Sequence, residues 1–328
     1  MDLPTVPGYE YKPLISADAV RVVVLEPAAS FESTLRCSLI QYSRSIELGL
    51  SDRQHYSAVS YTWGDEPASR QLLVTSNDLE HPEDTMLLIR PHVDSFLRHF
   101  RKAHKTVYLW VDAICLNQQD GVEKGQQIQL MGDIFKTAKK VHVWLGEDEG
   151  LGAKTFSVIR KLNLSGTDRE GSQPKKTTLS PSDVDLLSGL LQKPWFTRRW
   201  VIQEIALARH AVLHWGESSL ENSWLLSILP AMENSLDLYS ARMLLTAREA
   251  SIRPLGLLEL LWRFDGSECG DRRDRVAALM GLVSASQRIA IDYNADDCKS
   301  IYARLATQLI NESPASAQLT FVHLLAFG

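Results

Sequence analysis

"TVYLWVDAICLNQQDGVEKGQQIQLMGDIFKTAKKVHVWLGED" (106–148) decides the fold. Its opening, "TVYLWVDAICL" (106–116), is almost continuously apolar, the pattern of a parallel strand buried on both faces. "EKGQQIQLMGDIFKTAKK" (123–140) puts Ile128, Met131, Ile134 and Phe135 on one helical face. "VHVWLGED" (141–148) is the next buried strand. Strand, helix, strand in this order implies a crossover and a parallel sheet.

Outward from this unit, "AVRVVVLEP" (19–27), "LRCSLIQYS" (35–43) and "YSAVSYTWG" (56–64) read as strands, close enough together for a meander or a small N-terminal sheet. "LLIRPHVDSFLRHFRKAH" (87–104) carries a helical stripe of Val93, Phe96, Leu97 and Phe100 after Pro91. "LSGTDREGSQPKKTTLSP" (164–181) is polar and reads as a loop. Helical patterns dominate beyond it, interrupted by a strand at "AVLHWG" (211–216). "LTFVHLLAFG" (319–328) ends apolar and uncapped, as in a chain cut from a longer protein.

The 328 residues suffice for a large core, with 45% hydrophobic and 23% charged residues, an ordinary globular balance. A net charge of -5 gives no electrostatic reason to expect nucleic acid as a partner. Cys37, Cys115, Cys269 and Cys298 lie far apart without zinc spacing, so they read as thiols in a reducing compartment. "MDLPTVPGYEYK" lacks the basic and apolar segments of a signal peptide, and no run approaches a membrane span. A soluble cytoplasmic protein without a membrane partner is expected, and the sequons at Asn163 and Asn311 carry little weight.

GxGxxG, HExxH and GxSxG are missing, and "GLGAKT" (150–155) lacks P-loop spacing. Four stretches remain. "SYTWGDE" (60–66) leaves a strand for a polar loop, where open α/β sheets bind ligands; a tight turn at Gly64 is the plainer account. "WVDAICLNQQD" (110–120) places Asp112 near the end of a buried strand, where it either caps the next turn or accepts ligand hydroxyls. "PWFTRRWVIQEI" (194–205) sets Trp200 and Glu204 four apart on one helical face, with no cation at pairing distance along the helix. Glu204 there is either a solvated edge charge or a residue held for chemistry. "CGDRRDRVAALMGL" (269–282) has a capping-box-like Asp271 and Asp274, with Arg272, Arg273 and Arg275 free to pair with them or with phosphate.

"YSAVSYTWGDE", "LWVDAICLNQQD", "QIQLMGDIFKTAKKVHVWLGED", "PWFTRRWVIQEI" and "RRDRVAALMGL", in this order, resemble the heterokaryon incompatibility (HET) domain family of filamentous fungi. The likeness runs from about "YEYKPL" (9–14) to the C-terminus, departing at Pro91 and at the arginine-poor "EKGQQI". It implies a cytosolic trigger of programmed cell death in non-self recognition, with self-association and protein partners in an incompatibility pathway. HET domains are likened to TIR domains, whose opening strand resembles "YSAVSYTWGDE" and whose WxxxE-type helix resembles "RRWVIQE". The fold expected is an α/β, TIR- or flavodoxin-like parallel sheet flanked by helices. Its parts would be an N-terminal β extension (1–55), a core (56–216) with a loop insertion near 150–192, and a mostly helical C-terminal part (217–328).

In NAD-cleaving TIR domains the helix glutamate is catalytic, which here implies Glu204. NAD would be substrate, with no prosthetic group and no metal. Cleaving the nicotinamide–ribose bond passes through an oxocarbenium-like state that a carboxylate stabilises, and the neutral leaving group needs no general acid. The resemblance makes Tyr61, Thr62, Trp63, Gly64, Asp65 and Asp112 cleft residues, Trp200 a wall, and Arg199 or the Arg272/Arg273 pair the pyrophosphate contacts.

Overall fold

The computed structural model describes residues 6–43, 56–76, 83–165, 179–232, 239–253 and 255–312. The chain enters through β1 (Ala19–Leu25) and β2 (Leu35–Ser43), followed by β3 (Ser57–Tyr61), β4 (Arg70–Val74), β5 (Thr85–Ile89) and α1 (Pro91–Phe100). β6 (Val107–Trp110) leads through the one-turn α2 (Asp112–Cys115) into α3 (Gly121–Thr137) and β7 (Val141–Trp144). Next come α4 (Gly152–Ser165), α5 (Pro181–Leu191), a 3-10 turn at Pro194–Thr197, α6 (Val201–Ala206), and the hairpin of β8 (Ala211–Trp215) and β9 (Ser218–Glu221). Helices α7 (Asn222–Met232), α8 (Tyr239–Ile252), α9 (Leu257–Arg263), α10 (Asp274–Ala277) and α11 (Cys298–Glu312) complete the described chain.

All nine strands join one sheet in the order β5-β4-β2-β1-β6-β3-β7-β8-β9. β6, β3, β7 and β8 are mutually parallel. Numbered by their own appearance they stand 2-1-3-4, the flavodoxin-type order, whose carboxyl ends flank a ligand crevice. β1 lies antiparallel between β6 and β2, so the N-terminal strands extend the parallel core instead of forming a sheet of their own. β3 is not a third meander strand: it sits inside the core, between β6 and β7.

Three strands, β4, β5 and β9, escaped the sequence reading. β4 pairs parallel with β2 and antiparallel with the edge strand β5, which takes in "TMLLI", whose end the helical reading of 87–104 had covered; β9 is the short edge strand at the other side of the sheet. The helix itself starts at Pro91, at a position where a missing N–H costs nothing, with Asp94 in its first turn and Arg98 paired to it at 2.8 Å. β6 stops at Trp110, because Val111 is the last extended residue before α2 takes over at Asp112. Cys115 is buried in that turn, and burial pushes its thiol up to about 12, so it is a core thiol. Of the expected loop at 164–181, residues 166–178 lie outside the described residues, as does "LTFVHLLAFG".

Caps explain several helix starts. Asp120 accepts from the backbone N–H groups of Val122 and Glu123 at the head of α3. Ser180 and Asp183 form a capping box on α5, with Pro181 at its first turn. At the head of α4, in "GLGAKT", the Asp148 carboxylate accepts from Leu151 N and Gly152 N at 2.7 and 2.9 Å. The chain's own carboxylate thus occupies the place a P-loop would give to phosphate.

One sheet face is covered by α1. Phe100 packs on Trp144, His142 and His214, and Phe96 on Tyr61. His142 Nδ1 and His214 Nε2 lie 2.9 Å apart, and burial holds the two imidazoles down at about 4 and about 3. Their folded values lie below the unfolded value near 6.5, so their contribution is complete above pH ~6.5 and is lost as pH falls toward 4. Urea unfolding should show a loss on the order of 3 kcal/mol per histidine across that window, at about 1.4 kcal/mol per unit. Replacing both by Phe should flatten the curve; an unchanged acid slope would show that these imidazoles are not held neutral.

On the other face α3 meets the C-terminal part through two glycines. A Cβ at Gly281 would come within 2.7 Å of Gln203 Oε1 and 3.1 Å of Gly132 Cα. Only glycine lets the 278–282 turn press on α3 and α6, and this brings residues 268–274 over the carboxyl ends of the core strands.

Candidate active site

A cleft of ≈ 1030 Å³ opens at these carboxyl ends, lined by Thr62–Glu66, Asp112, Arg198, Trp200, Glu204, Glu268–Asp271 and Asp274, among others. Its chemistry is organised by two neighbours on β3. Side chains alternate along a strand, so Ser60 and Tyr61 point to opposite sheet faces. Each holds one carboxylate.

On one face, Ser60 Oγ donates to Glu204 Oε2 and accepts from Trp195 Nε1 at 2.7 Å. Glu204 is 4% exposed, on α6. Burial pushes its carboxyl up to about 7; the Arg198 charge and the Ser60 hydrogen bond pull it back, and Asp112 adds to the rise. Glu204 is therefore neither a solvated edge charge nor an ordinary acid.

On the other face, Tyr61 Oη donates to Asp112 Oδ1 and Trp63 Nε1 to Asp112 Oδ2, both at 2.8 Å. Ala113 N also donates to Oδ1 at 2.7 Å. Asp112 thus caps its own turn and fixes Tyr61 and Trp63, while still lining the cleft. Burial and Asp112 keep the Tyr61 phenol well above its usual range, so it stays a donor. Gly64 turns with φ +70°, its place for a side chain filled by the His92 ring at 3.4 Å. His92 Nδ1 lies 3.1 Å from Thr62 O, and Arg90 donates to the Gly64 and Glu66 carbonyls at 3.0 and 2.9 Å while lying over Trp63. Asp65 lines the rim beside them.

The stretch 195–205 is not one helix. Residues 194–197 form a 3-10 turn, Arg198 is extended and bridges Glu268, and α6 begins only after Trp200. The Glu204 amide still bonds Trp200 O at 3.3 Å, so the expected pair stays on one side. Trp200 Nε1 donates to Asp274 Oδ2 at 2.9 Å, and Tyr293 Oη to Asp274 Oδ1 at 2.6 Å. Burial raises the Asp274 carboxyl against those two hydrogen bonds. Trp200, Asp274 and Tyr293 together form the wall facing β3.

The break at Arg198 sends the two arginines in opposite directions. Arg199 is buried, donating from Nε and Nη2 to Arg275 O at 3.0 and 2.5 Å, and from Nη1 to Ser267 Oγ at 2.8 Å and to Phe264 O. It ties α6 to the C-terminal part, and although it borders the cleft, its donors are bonded to these carbonyls and the Ser267 hydroxyl. Arg273 grips Asp271 at 2.7 Å and the carbonyls of Tyr293 and Asp296 at 2.6 and 3.2 Å. Arg272 is exposed and outside the cleft lining. Of the arginines that sequence reasoning offered to phosphate, Arg199 borders the cleft with its donors bonded, and Arg272 and Arg273 lie outside its lining. The one it passed over, Arg198, lines the cleft with its guanidinium donors unused among the described residues. Ser60 and Trp195 were also missed: a serine inside a strand and a tryptophan nine residues before Glu204 carry no local signal of pairing with it. Among the described residues no group of His, Cys, Asp and Glu is placed to hold a metal ion, and no helix is long and apolar enough to cross a membrane.

The heterokaryon incompatibility (HET) family model matches residues 56–204, from the start of β3 to Glu204 itself. Over 230 residues the chain is 26% identical to heterokaryon incompatibility protein 6, OR allele, of Neurospora crassa, covering 60% of this chain. The chain spans about a third of that relative's length, 33%. No solved structure matches. Both partners of the Ser60–Glu204 contact fall inside the matched stretch, whereas Asp274 and Tyr293 lie beyond it. Residues 56–204 thus match the heterokaryon incompatibility (HET) family, and the likeness to the Neurospora protein extends over 230 residues.

Proposed function

We propose that this protein is a cytoplasmic cell-death effector of heterokaryon incompatibility, and that its cleft hydrolyses NAD or a related nucleotide at the nicotinamide–ribose bond. The likeness to the Neurospora protein supports the first part. The second part is carried by Glu204, a buried carboxyl with its value near 7, oriented by Ser60 at a cleft of nucleotide size.

Nicotinamide in NAD is a pyridinium cation on C1′, and it leaves neutral with the electrons of the broken C–N bond. The positive charge passes to C1′ and O4′, where the ionised Glu204 stabilises it. Water then adds to C1′, and its proton goes to Glu204 and on to solvent, giving ADP-ribose and nicotinamide. Low dielectric around Glu204 strengthens its effect on that developing charge. Trp63 and Trp200 give apolar walls for the bases, and Asp112 holds the first of them in place.

A second reading, a TIR-like module acting by self-association and partner recruitment without chemistry, is favoured by Ile252 and Trp262, which are 77% and 60% exposed outside the cleft. Incubation with NAD separates the two. Nicotinamide release by the wild type, in monomeric or assembled form, is expected; none in either form would leave the signalling reading.

A further inference from the structure

We propose that Arg198 is the phosphate anchor of the cleft, so that the site takes nucleoside phosphates or pyrophosphates and rejects free nucleosides; this rests on reading the cleft as a nucleotide site. The backbone supplies the direction. Arg198 is extended (φ -68°, ψ 133°) and paired with Glu268, so consecutive side chains diverge, Arg199 inward and Arg198 to the cleft.

The other cations in or near the cleft differ from Arg198 in their surroundings. Lys124 also lines the cleft, its side chain without a hydrogen bond among the described residues, but it lies within electrostatic reach of the Asp271 and Asp274 carboxyls, and its ammonium is a point charge without a planar fork. Arg90 serves two carbonyls of the Gly64 turn. Arg199 and Arg273 bond carbonyls of the C-terminal part. The Arg198 guanidinium is half-buried and makes no hydrogen bond or ion pair among the described residues. A partly desolvated guanidinium with five unused donors in a planar fork matches phosphate oxygens bidentately. Glu204 feels its charge, and a carboxyl with its value near 7 is only partly ionised near neutral pH.

Position fits as well. The charge of Arg198 is felt by both Glu204 and Tyr61, at the end of β3. In a dinucleotide the phosphate hangs from C5′ of the ribose whose C1′ reacts, a few bonds away. A phosphate on Arg198 therefore places C1′ beside Glu204, and the two residues recognise neighbouring parts of one ribose phosphate.

Calorimetric titration of the full chain with ADP-ribose, inorganic pyrophosphate and adenosine tests this. The wild type should prefer ADP-ribose to adenosine, with pyrophosphate competing. Arg198→Gln should weaken ADP-ribose about 10–100-fold, the range of a lost charge-assisted pair, and leave adenosine unchanged. Arg198→Lys, which keeps the charge without the fork, should fall between and serves as the readout if the glutamine variant does not fold. Equal ADP-ribose affinity in wild type and both variants, or equal weakening of ADP-ribose and adenosine, would overturn the anchor. Phosphate discrimination without nicotinamide release would support the anchor and defeat hydrolysis. NAD turnover with an unchanged KM in Arg198→Gln would do the reverse.

Discussion

Replacing Glu204 by Gln is expected to abolish most nicotinamide release while making the protein more stable at alkaline pH. The amide keeps the shape and an acceptor for Ser60 Oγ, so α6 and the wall behind it are undisturbed. It removes the anion opposite the developing cation. Loss of one preorganised group of this kind costs about 10²–10³ in kcat, so kcat should fall by at least that much with KM less affected. The stability change has the opposite sign. The carboxyl's folded value, about 7, lies above its unfolded value, 4.5, so its full contribution exists below 4.5 and is lost as pH rises through 7. At pH 8 the wild type holds a buried carboxylate costing on the order of 3 kcal/mol, at about 1.4 kcal/mol per unit. Glu204→Gln should therefore unfold at higher urea than wild type at pH 8 and at similar urea at pH 4.5. Residues held for function at the expense of stability behave this way. Equal midpoints at both pH values would show that Glu204 is not desolvated.

Arg21→Met should lower stability by about 3–5 kcal/mol, the cost of stranding one partner of a buried ion pair. Arg21, on β1, meets Glu123 of α3 through Nη1–Oε1 at 2.5 Å and Nη2–Oε2 at 2.8 Å, with Arg21 1% exposed. It also donates to Lys12 O at 2.6 Å and Cys115 O at 3.2 Å, while Glu123 Oε1 accepts from Asn117 N at 2.8 Å. One pair thus fastens the N-terminal extension, α2 and the loop behind Asp112 to the core. Removing the arginine leaves Glu123 buried and uncompensated, and frees the turn that presents Asp112. The double variant Arg21→Met, Glu123→Leu should recover much of the lost stability, since a buried pair replaced by apolar groups is often close to neutral. A double variant as unstable as the sum of the two singles would show that the pair itself is not the unit.

Much of the parallel core was legible because its strands are apolar runs separated by helical periodicity: "TVYLWV" and "VHVWL" lie where those patterns put them, while "YSAVSY", grouped by pattern with the N-terminal strands, sits between them. β4, β5 and β9 were not, because strands of four or five residues with partly exposed sides at or next to a sheet edge lack both a continuous run and a clean alternation. The break before Trp200 was hidden for a different reason. Arg198 and Arg199 are good helix formers, and only the bridge to Glu268, 70 residues on, pulls the backbone out of the helix.

The same non-locality limits the site. Family resemblance and helical spacing singled out Glu204, Asp112 and Trp200. The partners that define their chemistry come from other elements: Ser60 and Trp195 on Glu204, Tyr61 and Trp63 on Asp112, Asp274 and Tyr293 around Trp200. Choosing between Arg198 and Arg199 turns on the parity of one extended residue, which no sequence period records.

The pH dependence of kcat for nicotinamide release by the wild type tests the central claim most directly. With Glu204 proposed to act as the carboxylate, kcat should rise with pH through a single ionisation near 7 and level off above it. A rate that is flat from pH 5.5 to 8.5, or one that falls as pH rises through 7, would contradict it.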